Sequence, residues 1–145
     1  MRLKIGLTLV VLVSVVIMIA GCAWPGKAGT QVGVKMLGRR LGFHGAQMYP
    51  QRFETLGRVA ESACEVLADR AKALQGAFGI IAKVIADELK DPILHEELME
   101  LVELVGIELD PEYGVSRVTV ETQAGIEAFV CSFAVGVDRA LIKEE

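Results

Sequence analysis

The chain has 145 residues, 52% of them hydrophobic, with 15 basic against 19 acidic side chains and a formal charge of -4. That length suits one domain with a modest core, and the acid excess argues against nucleic acid as a partner. Much of the hydrophobic share sits at the N-terminus, and no later stretch stays uncharged long enough to span a bilayer.

Arg2 and Lys4 precede an uncharged run from Ile5 to Gly21 that ends Ile19-Ala20-Gly21 and is followed at once by Cys22. A positive start, an apolar stretch and small residues before a cut site form the pattern of an export signal. With the cysteine in that place it resembles the lipobox of bacterial lipoproteins, formed here by Ile19, Ala20, Gly21 and Cys22. The resemblance covers residues 1–22 alone, and the rest of the chain resembles no family. It implies removal of residues 1–21, acylation of Cys22 by chains such as palmitate, and a lipid anchor on the periplasmic or outer side of a bacterial membrane. With Ala23 rather than Asp after the cysteine, it implies the outer membrane over the inner one. One acyl chain holds a protein marginally and several hold it firmly. The alternative is an uncleaved single-pass helix, for which the run lies at the short end of spanning length. Arg2 and Lys4 give both readings the same orientation.

The sequence thus divides into a leader (1–21), an acylated Cys22 with a flexible tether (22–30) containing Trp24, Pro25, Gly26 and Gly29, and a helical domain (31–145). Charge is polarised along it. Residues 22–53 carry Lys27, Lys35, Arg39, Arg40 and Arg52 with no acid, and all 19 acids lie beyond. Basic residues next to a membrane anchor are drawn to anionic lipid, which would hold residues 23–52 towards the bilayer and leave residues 54–145 to meet a partner. A solvated helix face is the simpler account of Lys35 and Arg39.

Hydrophobic periodicity predicts an all-α bundle of four to five helices. Val34, Leu37, Leu41, Gly45 and Met48 share one face of a helix from Gln31 to Met48, in which Gly38 and Gly42 permit close approach of another helix, within the chain or between two chains. Pro50 opens a second helix with the stripe Phe53, Leu56, Ala60, Ala63, Leu67, Ala71 and Leu74. A break is expected at Gly76 and Gly79, before a third helix that buries Phe78, Ile81, Ile85 and Leu89; an unbroken helix from Pro50 to Lys90 is the alternative. Asp91 and Pro92 cap a fourth helix with the stripe Leu94, Leu98, Leu101 and Val105, and Gly106 ends it. After the turn Asp110 to Gly114, a short hairpin of Ile107–Leu109 with Val115–Val120 competes with an early start to the last helix. We expect that helix from Ser116 to Lys143, apolar on almost every side and therefore central.

Candidate chemistry is sparse. Once Cys22 is acylated, Cys64 and Cys131 remain, an even pair that an oxidising compartment would bridge and that reads equally well as two small buried hydrophobes. His44 and His95 have no second ligand at binding spacing, so no metal is expected. Glu96, Glu97, Glu100 and Glu103 read as a solvated helix face rather than a calcium loop. No nucleophile motif or phosphate-binding glycine loop is present, and no cofactor is expected. The expected function is non-enzymatic: an envelope lipoprotein with an interaction or structural role, whose partners are membrane lipid and an envelope protein. A bundle that binds lipid or another apolar ligand is the alternative.

Overall fold

The computed structural model describes residues 27–116 and 118–142, with side chains from Gln31 onward. The leader, the lipobox with Cys22, and Trp24 lie outside the described residues. Five helices follow one another: α1 (Lys27–Met48), α2 (Pro50–Glu65), α3 (Arg70–Lys83), α4 (Pro92–Val105) and α5 (Val120–Ile142). A π-helical stretch, Val84–Leu89, prolongs α3. Between α4 and α5, β1 (Glu108–Leu109) pairs antiparallel with β2 (Val115–Ser116), Glu108 opposite Ser116. This is the small all-α bundle that the periodicity predicts.

Helix α5 is its centre and packs on α1, α2, α3 and α4. Its Ile126, Phe129, Phe133 and Val137 are buried. Phe129 stacks edge-on to Phe78 of α3, with ring centroids 5.4 Å apart, and Phe133 lies 5.7 Å from Phe53 of α2. Tilted and edge-on aromatic pairs gain electrostatic attraction beyond their buried area. The most extensive interface is α1 on α5, and it depends on missing side chains. A Cβ on Gly38 would stand 2.9 Å from the Phe129 carbonyl oxygen, one on Gly42 would strike the Phe133 carbonyl, and one on Gly136 would strike that of Arg39. Gly38 and Gly42 therefore serve packing within the chain.

The caps of α4 form as expected. Asp91 Oδ1 accepts from the amides of Ile93 (3.0 Å) and Leu94 (3.2 Å), and Gly106 adopts φ 71° while Ile107 folds back to be buried. Leu94, Leu98 and Leu101 are all buried.

Four expectations need correction. Residues 27–30, inside the predicted tether, are already helical in α1. The break after α2 comes at Val66–Asp69 and not at Gly76 or Gly79, which lie inside α3; the unbroken helix is excluded as well. Leu67 leaves the stripe and is 92% exposed. The chain turns where Asp69 takes a left-handed conformation, φ 51°, one that Asp adopts more readily than most residues. Arg70 then donates to the carbonyls of Cys64 and Val66 and so satisfies the end of α2. Helix α5 begins at Val120, later than Ser116. Ser116 is used by the ladder, its hydroxyl donating to the Glu108 carbonyl (3.3 Å), and Thr119 is the cap, accepting from the Thr122 amide (3.1 Å). Lastly, Glu97 is not on the solvated face: only 8% exposed, it lies three residues after Leu94 and four before Leu101, on the buried stripe.

Candidate functional site

Three features bear on function: a covalent link, a basic seam and a buried carboxylate. Cys64, in the last turn of α2, and Cys131, midway along α5, form a disulfide with Cα atoms 5.7 Å apart. Cys131 lies on the second stripe of α5, and the bundle places that stripe beside the end of α2. Arg70 stands at the same junction, holding Glu127 of α5 (2.7 Å) while capping α2. The ends of α2 and α3 are thereby fixed to one turn of α5.

The second stripe of α5 is only partly covered. Ala124, Ala128, Cys131 and Val135 floor an open groove of about 410 Å³ whose other wall is Gln31, Lys35 and Arg39 of α1. A second groove of about 590 Å³ lies between the C-terminal halves of the same helices, lined by Arg39, Arg40, Phe43, His44, Arg139 and Ile142. Arg39 belongs to both. Together they make a seam with basic side chains on its walls and apolar groups beneath them.

Arg40 and His44, one turn apart on α1, both turn to Glu97 of α4. The Arg40 Nε donates to Glu97 Oε1 over 3.2 Å, and His44 Nδ1 lies 3.3 Å from the same oxygen. Glu97 Oε2 is buried and has no hydrogen-bond partner among the described residues. The carboxylate thus ties α1 to α4 through one oxygen. His95 is exposed on α4. Among the described residues no group of three or more His, Cys, Asp or Glu side chains converges on a point that could hold a metal ion.

Two tyrosines reach carboxylates elsewhere. Tyr49, in the α1–α2 corner, donates to Asp91 Oδ2 (3.2 Å), so the residue that caps α4 also holds the corner. Burial first, and then this hydrogen bond and the carboxylate charge, raise the Tyr49 pKa above its ordinary value. Tyr113 donates to Asp87 (2.7 Å), and that bond is the largest cause of its raised pKa. It ties the hairpin turn to the π-helical stretch.

Cys64, Cys131 and His44 are candidates from sequence alone, whereas Glu97 reads there as one of a solvated face and Arg139 has no distinguishing context. For Glu97 the signal was its register with Leu94 and Leu101. Arg139 becomes notable only when α1 and α5 are brought side by side. Among the described residues no helix is long and apolar enough to cross a membrane. No protein-family model matches the chain, and no curated protein or solved structure matches it either.

Proposed function

We propose that the chain is a bacterial envelope lipoprotein, anchored through acylated Cys22, whose helical domain has an interaction or structural role without catalysis. The observation that carries this reading is the bond between Cys64 and Cys131. Disulfides persist in oxidising compartments and are rare in the cytosol, and export to such a compartment is what the order of leader, small residues and Cys22 encodes. Two independent parts of the sequence thus support one destination.

The interior supports an interaction role over the storage of an apolar guest. The rings of Phe53, Phe78, Phe129 and Phe133 fill its centre, so a ligand would have to use an outer groove. On the side of α3, Lys72, Lys83, Ile80 and Tyr113 line a further groove of about 410 Å³ against the hairpin. Its position within residues 54–145 fits it to meet an envelope protein while α1 stays near the anchor.

The test is cross-linking in native membranes followed by identification of what is captured, with Cys22→Ser as control and acyl labelling in parallel. The reading expects acyl label on the wild type alone, and a protein captured through α3 or the hairpin that is lost from Cys22→Ser. Unlabelled wild-type protein would refute the anchor. Labelled protein that captures nothing, in cells whose envelope is unchanged by deletion, would refute the role.

A further inference from the structure

Most arginines of the bundle are already in use. Arg40 holds Glu97, Arg52 holds Glu88, Arg58 holds Glu54 and Arg70 holds Glu127. Arg39 and Arg139 make no ion pair among the described residues, and both line the groove between the ends of α1 and α5, over Phe43 and Ile142. Glu127, the acid in the adjoining groove, is occupied by Arg70. Asp138 precedes Arg139, but side chains at successive helix positions diverge.

The outward face of α1 continues this chemistry towards its N-terminus. Val32 and Met36 are 57% and 67% exposed, one turn apart, and Lys35 and Arg39 flank them at helical spacing. No acid occurs in α1. Exposed apolar side chains flanked by cations form a patch that an anionic bilayer surface attracts. The chain outside the described residues fits: Cys22 is five residues before Lys27, a reach of at most about 18 Å. An acylated Cys22 would therefore keep α1 within range of the surface.

We infer that the α1–α5 seam docks on the anionic headgroups of the bilayer that holds Cys22, Val32 and Met36 entering between headgroups while Lys35, Arg39 and Arg139 hold their phosphates. The inference rests on the lipoprotein reading and adds to it the surface that meets the headgroups: the outward side of α1 and the end of α5 lie on the membrane, and α3, which packs on α2 and α5, is left for other contacts.

Met36 is the reporter, and Met99 of α4, 45% exposed, is its internal control. The full chain, purified from membranes, is placed in vesicles of phosphatidylcholine alone or with phosphatidylglycerol, and the rate of oxidation of each methionine by peroxide is followed by mass spectrometry. Docking slows oxidation of Met36 in anionic vesicles and leaves Met99 unchanged. Each basic side chain at an anionic surface favours the docked state about fivefold, so Arg39→Gln with Arg139→Gln lowers the ratio of docked to undocked protein roughly twenty-five-fold and restores oxidation of Met36. The double lysine variant keeps the charge and retains protection. Equal rates for Met36 in the two vesicles would overturn the inference. So would protection that follows protein density in neutral vesicles, the mark of a second copy on the seam, or protection reproduced by inorganic phosphate in neutral vesicles, the mark of a free-anion site. Flotation with neutral vesicles in high salt reports the acyl anchor separately, so loss of the anchor is distinguished from failure to dock.

Discussion

Removing the Cys64–Cys131 bond should cost this domain a large part of its stability. The two residues are separated by 67 positions, and in the chain-entropy treatment a loop of that length restricts the unfolded state by about 4 kcal/mol at 25 °C. Domains of this size are held by roughly 5–15 kcal/mol in all. The reduced protein should therefore remain folded but melt about 15 °C lower. Urea unfolding with and without reductant, read by far-ultraviolet circular dichroism, measures the difference. Because the effect lies in the unfolded chain, the slope of free energy against urea should steepen on reduction, as a released chain exposes more surface. Cys64→Ala, Cys131→Ala and the double variant should also fall together, since each removes the same bond. A reduced protein within about 1 kcal/mol of the oxidised one, or single variants whose losses add, would refute the reasoning.

Glycine substitutions should separate packing from flexibility. Gly42→Ala drives a methyl into the Phe133 carbonyl and should cost about 3 kcal/mol or more or prevent folding, whereas Gly76→Ala, with nothing within 4 Å of the added Cβ, should stabilise α3 by about 0.5–1 kcal/mol in thermal melts. Arg40→Met should destabilise by about 1–3 kcal/mol because it leaves a buried carboxylate with less support, while Glu97→Met should be near neutral; the reverse order in chemical denaturation would show that the charge pair stabilises on balance. The raised pKa of Tyr49 favours its protonated form in the folded state, so its contribution is fully present below the ordinary tyrosine value of about 10 and is lost as pH rises through the raised one. Wild type and Tyr49→Phe should accordingly converge in stability at high pH, and a gap independent of pH would count against the Asp91 bond.

Features set by neighbours in sequence were legible from sequence. Asp91, Pro92 and Gly106 bound α4 through capping chemistry that needs no tertiary partner, and the apolar periodicity of α5 announced a central helix. Features set by distant partners were not. Gly79 looked like a break but lies in α3 where the Tyr113 carbonyl comes close, a Cβ there being only 2.7 Å from it. The turn at Asp69 depends on Arg70 reaching back to two carbonyls, which no propensity records. Glu97 looked like one acid among many until Arg40 and His44 arrived from α1. The same limit applied to the seam: its cations could be counted, but which of them lack carboxylate partners among the described residues depends on the packing.

The interface of α1 with α5 joins the beginning of the domain to its end. A polypeptide that emerges N-terminus first, from a ribosome or across a bilayer, presents α1 long before the helix that covers its glycines exists. Phe53 and Phe78 likewise wait for Phe133 and Phe129. Contacts so far apart in sequence are slow to form, and Cys64 cannot meet Cys131 until nearly the whole chain is out. Closure of the bundle around α5, and with it the Cys64–Cys131 bond, therefore has to await delivery of the last helix.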